Sequence, residues 1–167
     1  IVGRTLFYMR QTPPHPQAVL VAQAWPGGKA KVLVDPNAVA GALAITGYWP
    51  SPDGKYVAYG TAKGGNEETT IHFIDVATGK TLPDALPHAG GGTTPQALVW
   101  DADGKGVTYV RLPTGVASDQ SQFNAALYHH ALGSDASGDA LEFGKGLSKV
   151  AEYTLLGSAD GAHAAAL

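Results

Sequence analysis

Cysteine is absent from the 167 residues. That removes a disulfide framework and any thiolate metal site. Charge is also scarce: acidic and basic residues make up 15% of the chain, and the formal charge is −3. A dedicated nucleic-acid binder is usually basic, so that class is not expected. A disordered acidic chain is disfavoured by the 44% hydrophobic content. No apolar run approaches the roughly 18 residues of a membrane span. The opening Ile1-Val2-Gly3-Arg4 does not read as a signal peptide. Helical periodicity is missing too: no window of a dozen residues repeats apolar positions at i, i+3, i+4 and i+7 without a Gly or Pro interrupting.

What is abundant is glycine, at 22 residues, and proline, at 11. They punctuate short apolar or alternating runs: Thr5–Arg10, Ala18–Ala22, Ala30–Val34, Tyr56–Tyr59, Thr70–Val76, Ala97–Trp100, Val107–Arg111, Ala125–Leu132 and Tyr153–Leu156. Between them lie Asp-Gly and Thr-Gly pairs, which favour hairpin turns because Gly accepts positive φ. The fold class expected is all-β.

The pattern repeats. Ser51-Pro52-Asp53-Gly54-Lys55 returns as Asp101-Ala102-Asp103-Gly104-Lys105, and in degraded form as Ser158-Ala159-Asp160-Gly161. A second element, Ile71-His72-Phe73-Ile74-Asp75-Val76-Ala77-Thr78-Gly79, returns as Leu127-Tyr128-His129-His130-Ala131-Leu132-Gly133. Strand, Asp-Gly turn, strand, loop, strand, Gly turn, strand is the sequence signature of a β-propeller blade. The reading is a partial propeller of four-stranded antiparallel blades. Residues 1–46 are an incomplete first blade, 47–93 and 94–147 are blades, and 148–167 start another. A closed ring needs at least four blades, or about 180 residues. The chain lacks an initial Met and its last strand stops at Leu167. It is therefore expected to be a portion of a larger protein.

Motifs that carry chemistry mostly reduce to turns. Gly79-Lys80-Thr81 ends like a phosphate-binding loop, but the required earlier Gly is Ile74. Asp101-Ala102-Asp103-Gly104 resembles a calcium loop, but Lys105 and Leu112 stand where acidic ligands are needed. Adjacent His129 and His130 point to opposite faces of a strand and cannot chelate one ion together. No serine has Gly two residues away on both sides, so no nucleophile elbow is visible. No catalytic residue, metal or cofactor is expected in this chain. Trp49, Trp100, Tyr59, Tyr109, Phe73 and Tyr128 recur at equivalent blade positions, which points to packing between sheets. The Gly90–Pro95 stretch joins two blades at one mouth of the propeller. Thr94, Pro95 and Gln96 are the candidate substrate-gating residues.

The run Gly47-Tyr48-Trp49-Pro50-Ser51-Pro52-Asp53-Gly54-Lys55-Tyr56-Val57-Ala58-Tyr59-Gly60 resembles a blade of the prolyl oligopeptidase family. Asp75-Val76-Ala77-Thr78-Gly79-Lys80, Trp100-Asp101-Ala102-Asp103-Gly104-Lys105 and Leu127-Tyr128-His129-His130-Ala131-Leu132-Gly133 continue the likeness in order. The resemblance implies a two-domain serine peptidase, in which a seven-bladed propeller caps an α/β-hydrolase domain holding a Ser-Asp-His triad. Cleavage in the family typically follows Pro. The propeller admits short peptides and excludes folded proteins. Two departures stand out. Asn66-Glu67-Glu68 replaces the family's usual Ser-Asp-Trp, and the place of a cavity-lining aromatic falls near Pro95.

The expected partners are a short peptide substrate, reached through the parent's catalytic domain, and the remainder of the propeller with its hydrolase domain. Nucleic acid and membrane are not expected partners. The parent is expected to be soluble, in the cytoplasm or periplasm, with the cytoplasm favoured. Alternative readings are a non-catalytic periplasmic propeller scaffold and a sister oligopeptidase that cleaves after basic residues. Expressed alone, the segment is expected to self-associate or swap strands, because its terminal blade faces are apolar. Sedimentation velocity checks this; a clean monomer that unfolds cooperatively opposes it.

Overall fold

The computed structural model describes residues 1–64, 68–90, 96–158 and 161–167. Among the described residues there are thirteen strands, and three one-turn 3-10 segments between them. The strands are β1 (Thr5–Arg10), β2 (Val19–Ala24), β3 (Ala30–Val34), β4 (Leu43–Pro50), β5 (Tyr56–Lys63), β6 (Thr69–Asp75) and β7 (Thr81–Ala89). They continue as β8 (Leu98–Trp100), β9 (Gly106–Arg111), β10 (Ala126–Ala131), β11 (Ala140–Phe143), β12 (Leu155–Gly157) and β13 (Ala164–Ala166). Among the described residues no helix is long and apolar enough to cross a membrane. The chain is nearly all β, in open antiparallel sheets.

Each sheet is a meander: β1-β2-β3, then β4-β5-β6-β7, then β8-β9-β10-β11, then β12-β13. The two middle meanders are not separate. Ala89 at the end of β7 pairs with Arg111 at the end of β9, which joins them into one eight-stranded sheet. The cause is the shortness of β8. Its three residues pair with Val107–Tyr109 and leave the end of β9 open.

Four strands, β4, β7, β11 and β13, lay outside the apolar runs, the last three for physical reasons. β7 carries Pro83 and Pro87, which cannot donate to a ladder and usually demote a run to an edge. Its pairing with β6 accordingly shifts register twice. β11 is exposed at all four residues, so it lacks an apolar stripe. β13 is three alanines.

The sheets stack face to face, and side-chain alternation sends each inner strand into two cores. Val57 and Tyr59 on β5 face back to Phe7, Leu20, Ala22 and Leu33 of the first sheet. Ala58 between them faces forward, to the cluster of Ile71, Phe73, Leu86, Trp100, Val107 and Tyr109. The equivalent strand β9 does the same. Val107 and Tyr109 face back, and Val110 faces forward to Leu127, Tyr153 and Leu155. Trp100 lies edge-on to Phe73 at a centroid distance of 5.6 Å and stacks on Tyr56 at 6.5 Å.

Phe73 is fully buried between two sheets. Phe73→Ala in the intact protein is expected to cost about 3–5 kcal/mol by denaturant unfolding. Leu141→Ala, on exposed β11, is expected to stay within about 0.5 kcal/mol.

Candidate functional site

The recurring Asp-Gly sequences build the inner rim. Gly54 N–H bonds Ser51 O at 2.8 Å, Gly104 N–H bonds Asp101 O at 3.0 Å, and Gly161 N–H bonds Ser158 O at 2.9 Å. The glycines sit at φ +69°, +66° and +69°, where a side chain is strained. The turns also lie against one another. A Cβ on Gly104 would come within 3.6 Å of Asp53 Oδ1, and one on Gly161 within 3.0 Å of Pro52 and Ala102. The three turns thus form one side-by-side row.

Side chains set each turn. In the first, Ser51 Oγ lies 2.6 Å from Asp53 Oδ1, and the Lys55 N–H donates to that same oxygen at 3.0 Å. Burial pushes the Asp53 carboxyl up, but these donors outweigh it and hold the group below the usual carboxylate value. Ser51 is fully buried and accepts the Tyr56 N–H, so it staples the turn and does not face a substrate. On the β6–β7 turn, Asp75 accepts from the Thr78 N–H at 2.7 Å and its hydroxyl at 2.9 Å. Those bonds likewise lower its carboxyl.

Beside the row of turns, the inner strands β4, β8 and β12 enclose a cleft of about 470 Å³. Tyr48, Trp49, Gln96, Leu98, Val99 and Trp100 contribute to its wall. Trp100 donates its indole N–H to Trp49 O at 2.8 Å, which ties β8 to β4. Leu155 N–H donates to Gln96 O at 2.9 Å, which ties β12 to the start of β8.

Of the three residues singled out from the sequence, Gln96 is exposed and lines this cleft. Thr94 and Pro95 lie outside the described residues. The ends of their segment are well defined. Gly90 N–H donates to Val110 O at 2.8 Å, and Val110 N–H donates to Ala97 O at 2.9 Å. The junction therefore leaves and rejoins the sheet at one residue. Glu67, of the Glu67-Glu68 pair, is likewise outside the described residues. Glu68 faces His88 at 3.8 Å.

Sequence reasoning missed a second feature, on the outer side. A cleft of about 870 Å³ runs between β7 and the turn after β10, with Pro83, Pro87, Arg111, Tyr128, Ser134 and Ser137 on its wall. Beneath it His130 is completely buried, with Asp139 Oδ1 at 2.8 Å from Nδ1 and Asp84 Oδ1 at 3.2 Å from Nε2. Tyr109 donates its hydroxyl to Asp139 at 2.8 Å. Burial and Asp139 push the Tyr109 hydroxyl up, which keeps it a donor. The Arg111 guanidinium lies 3.4 Å over the Tyr128 ring. The one clue in the sequence was the His129-His130 pair. His130 does point inward, whereas His129 is partly exposed and meets Asp101 at 2.9 Å.

Residues 1–163 match the family model described as the prolyl oligopeptidase N-terminal β-propeller domain. The chain belongs to the prolyl oligopeptidase family. It is similar to a prolyl oligopeptidase of Omphalotus olearius, at 28% identity over 73% of this chain and 18% of that protein. It is similar to dipeptidyl aminopeptidase BI of Pseudoxanthomonas mexicana, at 30% identity over 68% of this chain and 15% of that protein. A solved prolyl endopeptidase superposes with a TM-score of 0.83 and 25% identity over 96% of this chain and 24% of its own. Oligopeptidase B of Leishmania major shares the fold, with a TM-score of 0.73 and 20% identity over 95% of this chain and 22% of its own. The chain thus spans under a fifth of the curated relatives and about a quarter of the solved ones. In this prolyl oligopeptidase-family chain, the turns closed by Gly54, Gly104 and Gly161 form that side-by-side row.

Because Asp53 and Asp75 lie below the ordinary carboxylate value, they stabilise the fold above about pH 4. Their contribution is lost as pH falls through their folded values. An acid titration of an intact D53N/D75N variant is expected to show lower stability near neutrality and a shallower acid limb. A limb as steep as the wild type's would remove this assignment.

Proposed function

We propose that this chain is the propeller portion of a serine peptidase that hydrolyses short peptides, typically after proline. The propeller gates access to the active site, and the catalytic triad lies on another domain of the parent. The family match over residues 1–163 supports the reading most strongly. On this reading 1–46 are an incomplete first blade, 47–93 and 94–147 are blades and 148–167 start the next, and the inner-strand cleft is part of the wall a substrate passes. On the same reading Thr94, Pro95 and Gln96 act as the gating segment, and of these Gln96 lines the cleft. In such an enzyme the base-assisted serine and its oxyanion hole do the chemistry. The propeller contributes by excluding large substrates and water.

A second reading is a family peptidase with another cleavage preference. It is favoured by the 30% identity to dipeptidyl aminopeptidase BI. In the scaffold reading no serine chemistry is present.

The test uses the full-length protein. It is expected to be labelled by a serine-directed phosphonate and to cleave Pro-containing peptides faster than Arg-, Lys- or dipeptide-releasing substrates in a panel. Absence of labelling overturns the peptidase reading, and a different preference in the panel selects the second. Gln96→Trp, which narrows the cleft, is expected to raise KM for longer peptides severalfold and to leave that for a tripeptide within about twofold.

A further inference from the structure

Two seams join successive sheets at their outer strands, and each is tied by a single charged side chain. At the first, Lys31 of β3 reaches over the β6–β7 turn and donates to Val76 O and Ala77 O, both at 2.8 Å. At the second, Asp84 of β7 reaches the equivalent β10–β11 turn. There Oδ1 accepts the Gly133 N–H and faces His130 Nε2 at 3.2 Å. The other ring nitrogen faces Asp139 Oδ1 at 2.8 Å. All three side chains are essentially inaccessible, at 0%, 2% and 1% exposure for His130, Asp84 and Asp139.

The proton count of this cluster follows from its geometry. Each nitrogen-to-carboxylate contact needs one proton between its two heavy atoms, because two bare lone pairs repel. Two contacts need two protons, whichever atoms hold them. The three groups then carry one net negative charge. Arg111 balances it from β9, through Nη1 at 3.4 Å from the Tyr109 hydroxyl that donates to Asp139. The other neighbours are the Phe73 ring on β6, stacked at 6.1 Å, and Asp135 on the turn. Asp135 lies below the ordinary carboxylate value, chiefly through the Ser137 hydroxyl and N–H, with attraction to His130 adding. If one proton leaves, one contact becomes lone pair against lone pair in a site with no water access. The longer one, to Asp84, is the one that spans the seam.

We propose that Asp84, His130 and Asp139 form a proton-operated clasp between the two middle meanders, closed with two shared protons and released when one is lost. The outer 870 Å³ cleft lies directly over it, so release would widen that cleft. The Lys31 seam contacts only backbone carbonyls and is the internal reference.

The test is hydrogen exchange by mass spectrometry on the intact protein, corrected for intrinsic exchange and followed as the pH is raised stepwise from mildly acid to mildly alkaline. Peptides covering 81–89 and 131–139 are expected to lose protection about tenfold or more as pH rises, the worth of one buried hydrogen bond to a charged group. Peptides covering 30–34 and 75–80 are expected to stay level. His130→Gln cannot take up the second proton and is expected to be poorly protected and flat across this range. Asp84→Asn, which removes the seam carboxylate alone, is expected to be flat as well, and decides the matter if His130→Gln does not fold. A flat wild-type profile overturns the proposal, and so does a variant that keeps both the protection and the pH dependence of the wild type.

Discussion

Sheets that stack must hide both faces, and a β-strand offers two faces that alternate residue by residue. The rest of this structure depends on that constraint. Tyr59 and Ala58 are neighbours in the chain but belong to different cores, and so do Tyr109 and Val110. A shift of one residue in register would exchange the two cores at every position along β5 or β9. The fixed hairpin turns are what prevent it. Asp53 and Asp103 each hold the N–H two residues on, and the glycine between them takes the positive φ that closes the turn.

The turns therefore do two jobs. They set register within a meander, and by lying side by side they set the spacing between meanders. The close approach of Gly161 to Pro52 and Ala102 leaves no room for a side chain at the inner rim. The cleft beside the rim is lined by the same inner strands that the turns position. The wall of that cleft is thus held by the elements that hold the fold. At the outer strands, where meanders diverge, single side chains take over: Lys31 at one seam and Asp84 at the next.

Much of this was legible because it is local. Ser-x-Asp-Gly-Lys, the apolar alternation of Tyr56–Tyr59 and the aromatic positions are chemical instructions within a few residues of one another. The likeness to the family rests on their order. The pairing of Ala89 with Arg111 across the two middle meanders was not legible in that way. That pairing depends on how short β8 turns out to be, which a pattern of apolar residues does not state. The buried clasp was hidden for a similar reason. Asp84 sits between two prolines in what reads as a loop, and Asp139 follows a Gly-rich turn. Nothing in the sequence indicates that both end against the same imidazole.

The sequence by itself determined the strands' two-residue alternation, the positions of the hairpin turns and the repeat that makes the chain a propeller. Each follows from local sterics and hydrogen bonding within about ten residues. The tertiary structure decided which faces share a core, where the inner-strand cleft opens, and that Asp84, His130 and Asp139 meet. Those are contacts between residues far apart in the chain, such as Asp84 and His130 at 46 positions, fixed only when the sheets stack and bury charge that would otherwise stay in water.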